Sequence, residues 1–290
     1  MKRLSAVFFI TLFLFAGRAS AQGPVLLIGL IPEQNLFHQV ENNKLLAEYI
    51  KERTGIKVQF TILSRYGDIV DRFASRHMDG AFFGAFTGYL ATAKLGIKPF
   101  MRPLAGRKPL VSKSLIIIRK DSGINNLSQL RGRKAVFVDK ASMGFIYMLY
   151  KLHLRENGMG SFFKNYYFSG NHKFSIYDVV DGRAGVAVVK DRFLDKLLAM
   201  DPVVSGNIKI MSSSGELPDE ILCLRSDIPP AIKAELEFAL EEIGQYPSGR
   251  KALAALGYSG FTQAGPSVFA PVGKLLHEAG INIRTYKYSR

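Results

Sequence analysis

The sequence has little cysteine and no tryptophan. Its single cysteine among 290 residues, Cys223, excludes both an intramolecular disulfide and a metal site built from several cysteines. The five histidines are scattered, and no pair of them has the spacing of metal ligands. Without such cross-links the chain depends on its apolar core, for which 48% hydrophobic residues are ample. We expect no metal and no cofactor.

Sequence motifs of common enzymes are also missing. The chain has no GxxxxGK[ST] phosphate loop, no GxGxxG after a strand, no HExxH and no GxSxG elbow. Carboxylate pairs such as Asp68 and Asp71 fall on the predicted exterior of a helix, where solvation explains them. These absences indicate that the protein is not an enzyme. An exported enzyme on a similar fold is the least favoured of the alternatives.

Acidic residues are outnumbered, because 39 lysines and arginines face 24 aspartates and glutamates, for a formal net charge of +15. A basic protein attracts anionic solutes and surfaces. The basic residues are scattered along the chain, however, and no basic–aromatic motif accompanies them. We therefore expect no nucleic-acid partner and, for most of these residues, a solvated surface.

The apolar run at the N-terminus is short for a membrane span. Lys2 and Arg3 precede an apolar segment over 4–16, about 13 residues where a span needs roughly 20. Small residues over 19–21 then form a cleavage site. We predict that residues 1–21 are a secretory signal peptide and that the mature protein is periplasmic, with an uncleaved anchor as the alternative.

The mature sequence alternates between strand-like and helix-like segments. Apolar strands are predicted over 25–31, 57–63 and 80–84, each followed by a helical pattern, which is typical of parallel strands with right-handed crossovers. The alternation restarts with a β-branched strand over 114–120, and a long helix is predicted over 145–157. A later helical stretch is expected to break at Pro247-Ser248-Gly249.

Two joints rich in glycine, proline and serine, 105–113 and 212–219, flank the middle of the chain. We therefore predict an α/β protein with two lobes, whose mixed, mostly parallel sheets are joined by two hinge crossovers. Residues 22–108 and 218–290 form the first lobe in this interpretation, and residues 109–217 form the second. A cleft for a ligand would lie between the lobes.

Three blocks of sequence carry a resemblance to a known family. They are RYGDIVDRFASRHMDGAFFGAFTGYLA (65–91), SKSLIIIRKDSGINNLSQLRGRKAVFVDKAS (112–142) and FSGNHKFSIYDVVDGRAGVAVVK (168–190). In this order they resemble the phosphate/phosphite/phosphonate-type periplasmic solute-binding proteins of ABC transporters, which have the type II periplasmic-binding-protein fold. The resemblance extends over nearly all of the mature chain.

The resemblance implies a function and partners. It implies the periplasmic binding component of an ABC importer, which captures a small oxyanion (phosphonate, phosphite, phosphate or similar) in the interlobe cleft. The implied partner is a permease in the inner membrane, and the implied state is a monomer. The alternative is a ligand-sensing module that docks on a membrane receptor such as a histidine kinase.

The segment FVDKASMGF (137–145) is the first candidate for an anion site. It runs from a strand into a helix, and the first N–H groups of a helix offer donors and a positive dipole end. The resemblance implies that the Ser142 hydroxyl and the N–H groups of Met143 and Gly144 hold the oxyanion. The family's serine–threonine–serine is here Ser-Met-Gly, so two hydroxyl donors are lost. The alternative is that Ser142 merely caps its own helix.

Four further ligand contacts follow from the resemblance, three of them with an alternative role. Tyr66 matches a ligand-contacting tyrosine, but an ordinary half-buried aromatic is equally compatible. Thr87 lies at a strand-to-helix turn, where α/β sheets bind ligands, and an N-cap is its alternative. Ser112 stands where the family often has a tyrosine in the hinge strand. His172 matches the family's histidine, although a lone histidine is more often structural.

Two departures from the family bear on the ligand. Aminoalkyl-phosphonate binders of the family meet the ligand's ammonium with acidic residues, and here Lys173 and Gly185 stand at two such positions. An ammonium next to Lys173 would be repelled and unpaired. We therefore predict weak binding of 2-aminoethylphosphonate and expect an oxyanion without an amine.

Overall fold

The computed structural model describes residues 24–33 and 36–288, so the predicted signal peptide lies outside the described residues. The strands of the described part are β1 (Val25–Leu30), β2 (Lys57–Ile62), β3 (Gly80–Phe83), β4 (Lys98–Ala105), β5 (Lys108–Pro109), β6 (Val111–Ser112), β7 (Ser114–Arg119), β8 (Lys134–Phe137), β9 (Asn165–Phe168), β10 (Val186–Lys190), β11 (Ile208–Ser213), β12 (Leu217–Pro218), β13 (Ile221–Leu224) and β14 (Gly260–Gln263).

The helices lie mostly between these strands. They are α1 (Leu36–Thr54), α2 (Asp68–Ala74), α3 (Ala85–Leu95), α4 (Met143–Lys151), α5 (Met159–Phe162), α6 (His172–Val180), α7 (Asp191–Met200), α8 (Pro202–Asn207), α9 (Pro230–Glu241), α10 (Pro247–Leu256) and α11 (Ala270–Glu278), with short 3-10 helices at Leu127–Leu130 and Ile243–Gln245. None of the helices among the described residues combines the length and apolarity needed to cross a membrane.

The strands form two large sheets and one small ribbon. Sheet 1 has the order β14-β4-β13-β3-β1-β2, and the short strand β5 pairs with the end of β4 off this path. Sheet 2 has the order β11-β7-β10-β8-β9. The chain passes from sheet 1 to sheet 2 after β5 and returns before β13. Where it crosses, β6 and β12 pair with each other, Leu217 opposite Ser112.

The predicted mixed α/β architecture is confirmed, but the predicted excess of parallel strands is wrong. Among the described residues four strand pairs are parallel and seven are antiparallel. Strands β4, β11 and β14, which the sequence pattern did not reveal, pair antiparallel. Pro99 and Pro103 make β4 difficult to predict from the sequence, because proline is ordinarily excluded from a central strand. Opposite Pro99, the register of β13 shifts between Leu222 and Cys223.

Two helix boundaries also differ from the prediction. The helix predicted over 145–157 already ends at Lys151, because the chain turns at His153 with a positive φ of 50°. The break predicted at 247–249 falls earlier, and Pro247 is the first residue of α10. Proline suits that position because its missing N–H would have no intrahelical acceptor there.

The C-terminal segment connects the loops that begin α3 and α4. Tyr286 is buried in the largest core cluster, which contains residues of both sheets. Its ring packs edge to face on Phe86 of α3, with the centroids 5.2 Å apart. Its hydroxyl donates a hydrogen bond of 2.8 Å to the carbonyl of Lys140, just before α4. Tyr286 therefore fixes the two helix starts relative to each other.

Candidate functional site

A cavity lies between the two sheets, with an empty volume of about 440 Å³ that is partly open to solvent. Its lining comes largely from residues that follow the strands β1, β2, β3, β8 and β10, at their carboxyl ends, where α/β sheets place ligands. All seven residues predicted to bind a ligand are part of this lining: Tyr66, Thr87, Ser112, Ser142, Met143, Gly144 and His172. The fold thus brings them together, and their contact with a ligand stays a prediction.

The start of α4 presents hydrogen-bond donors to the cavity. Ser142 is the N-cap, and its Oγ accepts a hydrogen bond of 3.3 Å from the N–H of Phe145. The same hydroxyl donates to the carbonyl of Asp139 at 2.6 Å. The capping role, the alternative for this serine, is therefore present. Met143 and Gly144 are the first two residues of the helix, where an N–H has no intrahelical acceptor.

Gly144 has a packing role besides its N–H group. A Cβ at this position would stand 3.1 Å from the carbonyl oxygen of Val188 in β10. The glycine therefore lets α4 approach the neighbouring strand closely. The change from the family's hydroxyl-rich loop to Ser-Met-Gly removes two side-chain donors but keeps the backbone donors at the helix start.

The start of α3 faces the same cavity. Its N-cap is Gly84, and Ala85, Phe86 and Thr87 form the first turn. Thr87 is therefore not the N-cap, and that alternative is wrong. Its Oγ1 donates to the Gly84 carbonyl at 3.3 Å. Two helix N-termini, one from each sheet's side, thus point positive dipole ends and free N–H groups at one space.

Ser112 lies where the chain crosses between the sheets. It is buried in β6, opposite Leu217 of β12. Two residues later, the N–H of Ser114 donates to Oγ of Ser214 at 2.8 Å. Both Ser112 and Ser114 line the cavity, so the crossing itself contributes hydroxyl groups to the site.

Tyr66 and His172 form a buried pair in the lining. Tyr66 Oη lies 3.3 Å from His172 Nε2, and His172 Nδ1 accepts the N–H of Lys190 at 3.2 Å. Burial lowers the pKa of His172 well below its usual value, so the ring is neutral near pH 7. Because Nδ1 is an acceptor, the single ring proton lies on Nε2 and donates to Tyr66.

The hydroxyl of Tyr66 is consequently left as a donor. Burial also raises the pKa of Tyr66 well above its usual value, so the phenol keeps its proton. Since the oxygen already accepts from His172, the proton is free for another acceptor. We use the name donor set for Tyr66 and Thr87 together with the α4 start, Ser142, Met143 and Gly144.

Charged residues that the sequence analysis missed form the other part of the lining. The Lys190 ammonium lies 2.5 Å from Oε1 of Glu33 and 2.8 Å from Oδ1 of Asp219. We call these three residues the ionic cluster. Next to it, Arg192 Nη1 contacts Glu220 at 2.5 Å and Asp219 at 3.5 Å. The cations come from the end of β10 and the start of α7, whereas the carboxylates come from the side of sheet 1.

Burial and charge pairing act in opposite directions on the titration of the ionic cluster. It raises the pKa of Glu33 to about 7, although the Lys190 ammonium acts in the opposite direction. Burial alone would lower the pKa of Lys190, but the carboxylates of Asp219 and Glu33 outweigh it and raise that pKa above its ordinary value. Lys190 therefore stays charged, and Glu33 is the member that changes its protonation near neutral pH.

The carboxylates of this region have the spacing of metal ligands. Oxygen atoms of Glu33, Asp219 and Glu220 lie within 4.8 Å of one another. Lys190 and Arg192 already supply two positive charges to them. The observed arrangement is therefore that of a buried salt-bridge network, in which side-chain cations occupy the place that a metal would take.

The reason given above for weak binding of 2-aminoethylphosphonate is wrong. Lys173 is exposed, and its ammonium lies 5.8 Å above the ring of Tyr177, outside the cavity lining. Gly185 is also outside the lining and faces Arg133. Lys173 therefore does not face a ligand in the cavity. The lysine that does line the cavity is Lys190.

A family profile described as "ABC transporter, phosphonate, periplasmic substrate-binding protein" matches residues 28–269. The chain belongs to this family. It is therefore a substrate-binding component of transport and not an enzyme. Membership also implies a periplasmic protein that binds a small ligand and works with a membrane permease.

Individual relatives agree with this assignment. The phosphonates-binding periplasmic protein of Escherichia coli K12 is 21% identical over 276 residues, 93% of this chain and 81% of the relative. A solved binding protein of an ABC phosphonate transporter from Pseudomonas aeruginosa has a TM-score of 0.78 at 20% identity, over 88% of this chain and 87% of that one. PhnD1 from Prochlorococcus marinus, solved with methylphosphonate, has a TM-score of 0.75 at 18% identity, over 88% and 98%. The two structures establish the type II periplasmic-binding-protein fold.

Proposed function

We propose that this binding protein captures a phosphonate, or a closely related oxyanion such as phosphite or phosphate, in the cavity between the sheets. The observation that carries the proposal is the convergence of two helix N-termini, those of α3 and α4, on one cavity. An oxyanion there would accept charge-assisted hydrogen bonds from several backbone N–H groups. The hydroxyls of Tyr66 and Ser142 would add donors, and Thr87 and Ser112 would line the remaining wall.

Ligand binding would work by stabilising the closed arrangement of two lobes. We take residues 22–108 with 218–290 as one lobe, residues 109–217 as the other, and the β6–β12 ribbon as the hinge between them. The starts of α3 and α4 then belong to different lobes. An anion held by both gains contacts only when the cleft is closed, which is the differential affinity that a capture mechanism requires.

The export and partner assignments form part of the same proposal. Residues 1–21 would direct export and be removed, and the mature protein would deliver its ligand, as a monomer, to the permease of an ABC importer. The Prochlorococcus structure contains methylphosphonate, which makes alkyl phosphonates our first choice of ligand. The alternative of a sensor module on a histidine kinase has no comparable support.

A thermal unfolding screen tests the proposed ligand class. The exported protein is purified from the periplasm and heated with methylphosphonate, phosphite, phosphate, 2-aminoethylphosphonate, sulfate or taurine. A ligand present at 100 times its dissociation constant stabilises the folded state by about 2.7 kcal/mol, which is a readily measured shift. We expect a shift with methylphosphonate, phosphite or phosphate, and calorimetric titration then gives the affinity.

Two outcomes would contradict the proposal. Stabilisation by none of the phosphorus oxyanions would exclude the proposed ligand class. Equal stabilisation by all six compounds would indicate a general anion effect rather than a built site. Mass spectrometry of the same preparation reads the N-terminus directly, and light scattering with size-exclusion chromatography reports whether it is a monomer.

A further inference from the structure

The cavity lining carries an ammonium group of its own. Lys190 is the last residue of β10, and 14% of its side chain is exposed. Its Nζ lies between Oε1 of Glu33, at 2.5 Å, and Oδ1 of Asp219, at 2.8 Å. The side chains of these carboxylates are 8% and 1% exposed. A mostly buried lysine therefore bridges two buried carboxylates in the wall of the ligand cavity.

The two carboxylates need a cation, because an unpaired buried charge is strongly unfavourable. In this chain the cation is covalently attached, and it comes from the opposite sheet. Lys190 and Arg192 together balance two of the three carboxylates Glu33, Asp219 and Glu220. Because burial raises the pKa of Glu33 to about 7, a proton on Glu33 can balance the third. The site therefore does not need an ammonium group from a ligand. An additional ammonium group in the cavity would meet the charge of Lys190, while the carboxylate oxygens nearest to it are already engaged.

We propose that Lys190 determines specificity by occupying, as a tethered ammonium, the position where a ligand's amino group would pair with Glu33 and Asp219. The cavity would then select oxyanions that carry no amine. The inference rests on the proposed function of the cavity and names its substrate class more narrowly. The inference again predicts weak binding of 2-aminoethylphosphonate, but with Lys190 rather than Lys173 as the cause.

A pair of closely related phosphonates tests the assignment. Ethylphosphonate and 2-aminoethylphosphonate differ by one amino group, and their dissociation constants are measured by calorimetry at pH 7. We expect the wild-type protein to favour ethylphosphonate by about tenfold or more. In Lys190→Met, which replaces the lysine by an unbranched side chain one atom shorter and without charge, the ratio should shift by about tenfold or more toward the amine. Lys173→Met is the matched control and should keep the wild-type ratio.

The outcomes separate this inference from the proposed function. A Lys190→Met protein with the wild-type ratio would overturn the role of Lys190 and leave the oxyanion site intact. A wild-type protein that binds 2-aminoethylphosphonate as tightly as ethylphosphonate would also overturn it, and this measurement needs no variant to fold. If the wild-type protein binds neither compound nor any other phosphorus oxyanion, the proposed function fails, and the specificity assignment fails with it.

Discussion

The donor set and the ionic cluster line the same cavity but arise in different ways. Each member of the donor set lies at or just before the start of a helix, and the hydroxyls of Ser142 and Thr87 bond residues close to them in the sequence. Tyr66 is the exception, because it pairs with His172, 106 positions away. The ionic cluster joins Lys190 to Glu33, which is 157 positions away. The comparison suggests that oxyanion binding depends on local structure, whereas charge selection depends on how the two sheets meet.

The largest expected effect is on the ionic cluster. Lys190→Met leaves the carboxylates of Glu33 and Asp219 buried without their cation. Breaking one partner of a buried ion pair typically costs about 3–5 kcal/mol. We therefore expect the free energy of unfolding, measured with urea in the absence of ligand, to fall by about that amount.

Two further variants sharpen this comparison. Lys173→Met changes an exposed lysine and should alter stability by no more than about 0.5 kcal/mol. Adding Asp219→Asn to Lys190→Met removes a buried carboxylate that has lost its ammonium partner and should recover part of the loss. An Lys190→Met protein as stable as the wild type would show that the network contributes nothing to folding.

The two regions also differ in how far the sequence could predict them. Every member of the donor set was predicted to line the site. A strand followed by serine, glycine and a helical pattern is a local signal for the α4 start, whereas Tyr66 and Thr87 were predicted from the resemblance to the family. Glu33, Lys190 and Asp219 were missed, because their pairing depends on which strand ends meet across the cavity. One signal was available: Lys190 ends a buried apolar strand, at the edge where ligands bind.

In the fold, too, the features with a local sequence signal were predicted and those that depend on distant segments were not. The alternation of strands and helices gave the α/β class and the parallel pairs around β1. The antiparallel pairs depend on the return of the chain from sheet 2, since β13 enters sheet 1 between β3 and β4. The residue pattern within a single strand does not indicate which strand will lie beside it. The prolines of β4 also argue against a strand in that segment, although one is present.

The second prediction concerns the pH dependence of the ionic cluster. The pKa of Glu33 is raised to about 7 in the folded state from an ordinary value of 4.5. Between these values the folded protein holds a proton that the unfolded chain releases. The stability due to this proton is therefore complete below about pH 4.5 and is lost as the pH rises to about 7, by at most about 3 kcal/mol.

Urea unfolding of the wild type and Glu33→Gln, from pH 4.5 to 7.5, measures this contribution. The lowered pKa of His172 acts with the opposite sign, since the unfolded state takes up a proton there below its usual pKa. Both proteins contain His172, so its contribution cancels in the difference between their free energies of unfolding. We expect the glutamine variant to gain stability relative to the wild type as the pH rises. Parallel curves would show that Glu33 is ionised throughout.

The third prediction separates capping from ligand binding at the α4 start. Ser142→Ala removes an N-cap, which should cost about 1 kcal/mol of stability. It also removes a hydroxyl from the cavity, which should weaken phosphonate binding by about 1–3 kcal/mol if that hydroxyl turns from Asp139 to the anion. Asn171→Ala is the matched control, because Asn171 caps α6 by accepting the Phe174 N–H at 2.9 Å. It should lose stability but keep its affinity.

Ser142 acts only as a cap if both alanine variants keep the wild-type affinity. The anion would then be held by the backbone N–H groups of the two helix starts, which substitution by alanine does not remove. If only Ser142→Ala loses affinity, the hydroxyl has two roles. The affinities of the two variants therefore show whether the α4 start binds the anion through a side-chain hydroxyl or through backbone N–H groups alone.

The smallest effect is expected from Tyr66→Phe, which removes one hydroxyl. The Lys190 N–H fixes the acceptor on His172 Nδ1, so Nε2 donates to Tyr66 and the phenol proton is left for the anion. Phosphonate affinity should therefore fall by about tenfold, near 1.4 kcal/mol. Tyr147→Phe is the control, because that hydroxyl pairs with Ser212 at 2.8 Å outside the cavity lining, and it should bind as the wild type does.

The nitrogen chemical shifts of His172 test the reason for this effect. A neutral ring protonated on Nε2 is expected in both the wild type and Tyr66→Phe, because the Lys190 N–H acts on the other nitrogen. A proton on Nδ1 would reverse the hydrogen bond, so that Tyr66 donates to His172 and has no proton for a ligand. In that case Tyr66→Phe would leave the affinity unchanged, and the donor set would lose a member. If the proton is on Nε2, Lys190 acts on both regions. Its ammonium belongs to the ionic cluster, and its backbone N–H orients His172 so that the Tyr66 hydroxyl can donate to the anion.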